Sequence, residues 1–565
     1  MNPVGKCSFG VLTKIVFVFS LTTSVAINAQ KVEGPLVTLP AFHVVDTRIL
    51  PALEDWKYAQ VPGFEVLSSA SNSTSRDVVH DFSRFHRAID AIWPLVRMNA
   101  SVDASIVLCS SGKELKEFVP EEIINNADQT LSLSLEDREH AAIVINLSAI
   151  NADKQDGSKI LHSEYVHFIV NRIGPRTPIW LKAGLEATFG SLIYTENRCA
   201  IPAQEDFFVE ERKAFSKRLN EALLHSQNIA EFIRQDVRYQ ELLKEARVVT
   251  LKELFTADNE NLFKDAGGGL DPYLRQSQAF ISFCLFSENG KYRDAFTRFA
   301  YLSARLPQSD GLFEQCFHVG YDVMMAFFWA NTENQSNRGF DIIGKDGKVV
   351  KDVNKLEFVL ATDAQSSRIR AEAQRMAGRS EDGRYSLIAA YLRGQRDPDL
   401  LASLGLAEYA SGKEDRALKF LLAAVKSNTR SVRAYTTLVK IELSEYLKKS
   451  SHHKLLVDQV AELLRLLFKA KSLVPPIPEV YELIAQVWIN SSVDPMVGHL
   501  QILNQGLALF PFDTELFCLD AMLYDHIGLK AQAVQILDVG YSVTADQAEK
   551  QKLAQLKASL EAKDR

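Results

Sequence analysis

Four side chains within one short stretch are of the types that bind metals or carry protons. Residues 160–191 read ILHSEYVHFIVNRIGPRTPIWLKAGLEATFGS, with His162, Glu164 and His167 in the first half and Glu186 in the second. A helical zinc hydrolase site needs two histidines four residues apart, so that both imidazoles leave one face of the helix. It also needs a glutamate between them to take a proton from the metal-bound water. Glu164-Tyr165-Val166-His167 supplies the second part of that pattern, with Glu164 at the general-base position and His167 at the second-ligand position. Four residues before His167 stands Ser163, whose hydroxyl is a poor zinc ligand beside imidazole, thiolate or carboxylate. His162 is one position early. Five residues turn an ideal helix by about 140°, so His162 and His167 leave different faces unless a π-bulge lies between them.

These residues sit on an amphipathic helix that ends at Gly174-Pro175, and a second helix starts near Trp180. At this point the chain resembles the peptidase MA-like domains of the gluzincin type, related to thermolysin and the aminopeptidases. Those domains carry HExxH on one helix and a W-L-x-E-G-L-A-E-Y-F pattern on the next. Trp180-Leu181, Gly184-Leu185 and Phe189 match the second pattern. The resemblance implies that the third zinc ligand belongs at Ala183 and the family's following glutamate at Ala187, neither of which is a glutamate here. Two of the three metal positions (Ser163, His167, Ala183) therefore hold residues unsuited to zinc. The expectation is a thermolysin-like fold with a vestigial site, no catalytic residue, no metal and no cofactor. The alternative is a zinc metallopeptidase with displaced ligands, using His162 or His167 together with Glu186, which lies one turn beyond Ala183, and Glu164 as base.

The likeness extends beyond the two helices. Trp56-Lys57-Tyr58 and Gly63 to Ser68 resemble the N-terminal region of exported bacterial proteins carrying this domain. Tyr273 to Ser277 with Phe280 and Phe283 resemble the helix after the active site, and Phe317 to Trp329 its terminal helix.

The elements that must position these residues can be read from periodicity. Phe64 to Leu67, Ser105 to Cys109 and Ala141 to Leu147 are short β-prone runs, and Val78 to Val96 has apolar residues at helical spacing. The expected fold is a mixed α+β domain over residues 35–335, mostly helical after residue 160. Gly267-Gly268-Gly269 lacks the GK[ST] that a phosphate cradle requires. Residues 336–365 form a linker, where Lys345-Asp346-Gly347-Lys348 predicts a hairpin turn. Residues 366–560 are expected to be all-α. Gly412 to Ala417 followed by Leu421 and Ala424, and Gly528 to Ala533 followed by Leu537 and Gly540, resemble the tetratricopeptide pattern. Three to five helix pairs are expected, a generic helical bundle being the other reading. His452-His453 reads as a solvated turn and His318 as a packed helix residue.

Composition narrows the partners. A net charge of −7 and the lack of any Lys/Arg-rich run speak against nucleic acid. Lys6 and Lys14 precede or adjoin the apolar run Ile15 to Ala26, and small residues follow, so residues 1–29 have the layout of a secretory signal. An uncleaved N-terminal anchor is the other reading. No later segment is long and apolar enough to span a membrane, which predicts an exported chain, periplasmic or secreted. The cysteines after the signal are scattered without CxxC spacing, so buried thiols are expected, a Cys284–Cys316 bridge being permitted by export. Repeat arrays of this type expose a continuous inner groove, and the expected partner is a protein or peptide held there.

Overall fold

The computed structural model describes residues 39–41, 55–93, 103–331, 338–341 and 356–562, with short interruptions inside the long spans, the longest at 263–271. The signal-like segment, the turn at 345–348, the Gly267–Gly269 loop and His452-His453 lie outside the described residues.

The chain opens with β1 (Lys57–Val61), β2 (Phe64–Ser68), α1 (Asn72–Ile92), β3 (Asp103–Cys109), α2 (Gly112–Leu115), β4 (Ser132–Glu136) and β5 (His140–Asn146). α3 (Leu147–Ala152), α4 (Gly157–Asn171), α5 (Ile179–Gly190), β6 (Ile193–Tyr194) and β7 (Arg198–Ile201) follow. Next come α6 (Val209–Leu224), α7 (Ile229–Gln235), α8 (Val237–Glu245), α9 (Leu251–Thr256), α10 (Pro272–Phe286), α11 (Arg293–Ser303), α12 (Asp310–Phe317) and α13 (Tyr321–Ala330), then β8 (Arg338–Asp341) and β9 (Val359–Leu360). The remainder is helical: α14 (Asp363–Met376), α15 (Ser380–Leu392), α16 (Pro398–Ala410), α17 (Glu414–Lys426), α18 (Val432–Lys449), α19 (Val457–Lys471), α20 (Pro478–Ile489), α21 (Val497–Leu509), α22 (Thr514–His526), α23 (Lys530–Val543) and α24 (Gln547–Ala562). An N-terminal α+β domain is thus followed by a long all-α repeat region. Among the described residues no helix is long and apolar enough to cross a membrane.

The main sheet has the order β4-β5-β3-β2-β1-β9, with β2, β3 and β5 parallel and the outer strands antiparallel. Side chains alternate between its two faces. Val66, Ile106, Ile143 and Ile145 enter the core that contains α1 and α4. Leu67, Val107, Ala142 and Val144 point the other way. Central parallel strands need both faces covered, and here the second face is closed by Phe118 and Val119 after α2 and by Ile369, Ala373 and Ala377 on and after α14. The first repeat helix therefore completes the core of the α+β domain. The segment ahead of it pairs with β1, placing Leu360 opposite Lys57. Of the strands described around the linker, β8 joins β7 and β9 joins the main sheet.

Charge pairs ring this contact. Arg368 meets Glu65 at 2.7 Å and Arg370 meets Glu117 at 2.5 Å. Arg375 pairs with both Asp137 and Glu372, and Arg379 donates to the Lys116 carbonyl.

The repeat region consists, among the described residues, of five successive helix pairs from α14–α15 to α22–α23 with α24 at the end. Its period is visible in the backbone. Gly378 and Gly412, 34 residues apart, both adopt left-handed φ values (80° and 72°) where the first helix of a pair turns into the second. Asn428 holds the same conformation 34 residues after Gly394, where one pair hands over to the next. Glu408 is fully buried between Arg384 at 2.6 Å and Arg416 at 3.2 Å, tying α16 to its neighbours on both sides. All five described cysteines are buried and free, so Cys284 and Cys316 are not bridged.

Two outcomes follow for stability. Ala373 has no exposed surface at the sheet contact, so Ala373→Arg buries an unpaired charge and is expected to destabilise the chain by about 3 kcal/mol or more, read by urea unfolding. Asp520 on α22 is fully buried, neither carboxylate oxygen has a hydrogen-bond partner, and burial pushes its acid up to about 7. Its raised value means that stability is greatest at acid pH and falls as pH rises from the unfolded value near 4 towards 7. Asp520→Asn is expected to flatten that slope and stabilise the fold at pH 8 by on the order of 3 kcal/mol, measured by thermal melts across pH.

Candidate functional site

Packing fixes the two helices that carry the sequence motif. On α4, Tyr165 is fully buried among the rings of Phe64, Phe82 and Phe85 at centroid distances of 5.3–6.5 Å. On α5, Trp180 lies 4.4 Å from Phe255 and 6.0 Å from Phe299. Gly184 faces α10 so closely that a Cβ there would stand 2.7 Å from Ile281 and 2.8 Å from Ser277. Leu181, Leu185 and Phe189 are fully buried as well. With those faces committed, the remaining polar positions border a cleft of about 540 Å³ lined by residues that include Lys159, Ser163, Glu164, His167, Glu186 and Tyr194.

The residues singled out by spacing divide into separate contacts. His167 Nδ1 lies 3.2 Å from Glu186 Oε1, with both side chains about two-fifths exposed. Glu164 accepts a 2.6 Å hydrogen bond from the Ser132 hydroxyl on β4, the outermost strand of the sheet. Ser163 is exposed and Ala183 half-buried. His162 also lines the cleft but belongs to a different set of contacts. Only 7% exposed, it stacks on Phe85 of α1 at 4.1 Å, and its Nε2 lies 3.4 Å from Asp81. Tyr194 of β6 donates to Asp81 at 2.9 Å and also contacts the His162 ring. α4 is continuous α-helix from end to end, so no bulge swings His162 round to His167.

Glu186 thus occupies the inner nitrogen of His167 and leaves the outer one, Nε2, for the cleft. A carboxylate on one imidazole nitrogen orients the ring and favours its charged form. The hydrogen bond that His167 donates to Glu186 is the largest influence on the imidazole and raises its pKa above the ordinary value, against the opposing effects of burial and Lys182.

Among the described residues, the group of three possible metal-binding side chains whose ligand atoms lie within 4.8 Å of one another is Asp137, His140 and Glu372, far from the sequence motif along the chain. His140 Nδ1 stands 3.4 Å from Glu372 and 3.9 Å from Asp137. Arg375 pairs with both carboxylates, and Arg433 of α18 reaches Glu372 at 3.5 Å. Burial alone would raise the Glu372 acid, but His140, Arg375 and Arg433 outweigh it and hold it below its ordinary value. With two guanidinium groups already on these carboxylates, the cluster serves as an ion-paired seam between the sheet and the repeats more readily than as a cation site. Sequence spacing did not point to Ser132, Asp81 or Tyr194, each distant in the chain from its partner. Lys159 was not singled out either, although it lies one turn ahead of Ser163 on the same helix.

The pairing predicts a titration. In an NMR pH series the His167 imidazole is expected to titrate above 6.5, and Glu186→Gln to lower its midpoint. Because the folded value is raised, the stabilisation from this pair is present below pH 6.5 and is lost as pH rises through the folded midpoint.

No family model matches the chain, and no curated protein does either. Among solved structures, a characterised pilF protein of Pseudomonas aeruginosa aligns with 36% of this chain and 86% of its own length, at 15% identity and a TM-score of 0.27. A thermophilic TPR protein of Thermus thermophilus aligns with 35% of this chain and 99% of its own length, at 18% identity and a TM-score of 0.25. These likenesses are too slight to bear on function, and the repeat architecture rests on the helix pairs themselves.

Proposed function

We propose that this chain is an exported, non-catalytic pseudo-metallopeptidase joined to a tetratricopeptide-like scaffold, and that it binds proteins or peptides. The observation that carries the reading is the contrast on α4 and α5. The residues that pack a gluzincin-type helix pair are in place (Trp180, Leu181, Gly184, Leu185, Phe189), while the metal positions are Ser163 and Ala183. β4 ends the sheet and is tied to the cleft wall through the Ser132–Glu164 hydrogen bond, so a peptide added along its outer edge by backbone hydrogen bonds suits this place. The repeat groove is the second surface of the same kind. On this reading residues 1–29 are a secretory signal, 35–335 the peptidase-like domain, 336–365 a linker and 366–560 the repeats, with the mature chain in the periplasm or outside the cell.

The competing reading is a zinc metallopeptidase with displaced ligands. His167 and Glu186 are close enough to supply two of them, with Glu164 as base. Zinc content separates the two. Elemental analysis of the purified chain after dialysis without chelator is expected to give a stoichiometry near zero. About one zinc per chain, lost on His167→Ala or Glu186→Ala and accompanied by peptidase activity that Glu164→Gln abolishes, would establish the metallopeptidase instead.

A further inference from the structure

Lys159, Ser163 and His167 follow one another at one-turn intervals along α4, and all three line the cleft. Among the described residues neither Lys159 nor Ser163 has a hydrogen-bond or ion-pair partner, and His167 keeps its outer nitrogen free of Glu186. The acids nearby are already engaged: Glu164 by Ser132, Glu186 by His167, and Asp81 by Tyr194 and His162. The wall thus offers an ammonium, a hydroxyl and an imidazole N–H to the cleft, a donor set suited to an oxygen-rich anion.

We propose that this wall anchors the C-terminal carboxylate of an extended peptide, with Ser163 and His167 donating to its oxygens and Lys159 supplying the opposing charge. The inference rests on the peptide-binding reading above and adds which part of the peptide is recognised. An internal peptide carbonyl is neutral and leaves the Lys159 charge without a counterpart, whereas a terminal carboxylate balances it. The position of β4 supports the same choice. Its Ser132 side chain is bonded to Glu164, the neighbour of Ser163, so a strand running along β4 ends beside the donor wall.

The test uses the full mature chain and pooled N-terminally fluorescein-labelled octapeptides of mixed sequence, prepared as free acids and as C-terminal amides. Fluorescence anisotropy is expected to show the free-acid pool binding about tenfold more tightly than the amides, as befits charge-assisted hydrogen bonds. In a Lys159→Met/His167→Gln double variant the preference is expected to fall below about twofold, with amide binding unchanged and circular dichroism confirming the fold. Equal binding of both pools would overturn the carboxylate anchor while leaving the peptide reading intact. Binding of neither would remove both. Amidated peptides rich in Asp and Glu binding as well as the free acids would assign the site to side-chain carboxylates. That result would overturn the proposal.

Discussion

The structure depends on how the second face of the main sheet is kept from water. Parallel strands β2, β3 and β5 carry apolar side chains on both sides, and burying one side under α1 and α4 leaves Leu67, Val107 and Val144 to be covered. The helix that covers them is α14, which is also the first helix of the repeat array. The direction in which the array departs is therefore set by the twist and register of the sheet. The arginines of α14 add selectivity to this contact. Pairs such as Arg368–Glu65 and Arg375–Asp137 contribute little each when partly exposed, but their fixed positions penalise any sliding of the helix across the strands.

The candidate site shows how packing and chemistry separate within one helix pair. Trp180, Gly184 and Phe189 pack in the interior, where a change of volume is costly. Ser163 and Glu186 face the cleft, where substitution leaves the core untouched. The result is a cleft whose polar groups are arranged in pairs: His167 with Glu186, Glu164 with Ser132, and His162 with Asp81 and Tyr194. Each pair satisfies its own charges locally, and none of them converges on a common point.

Much of this was legible in the sequence for physical reasons. Helical period and the Trp-Leu-x-x-Gly-Leu spacing located α4 and α5, and the glycines at 412 and 528 marked repeat turns because left-handed backbone favours glycine. The runs at 64–67, 105–109 and 141–147 became β2, β3 and β5, since strands buried on both faces are continuously apolar. β1, β4 and β9 were not picked out. They lie at or towards the sheet margin, where one-sided burial leaves polar residues such as Ser132, Ser134 and Lys57 in the pattern. Long-range partnerships were beyond reach altogether: nothing near His140 indicates that Glu372 will be its neighbour, and nothing near Glu164 selects Ser132.

The shared helix has a consequence for how the chain is made. β1 waits for a partner strand roughly 300 residues further on, and the apolar back of the sheet stays uncovered until α14 has been synthesised. Contacts of such sequence separation form slowly, so the first half of the polypeptide passes through a stage with an exposed greasy face and an unpaired strand edge, the features that invite aggregation. A nascent chain of this design needs a holding chaperone, or delivery to its destination while still unfolded. Its two halves mature together.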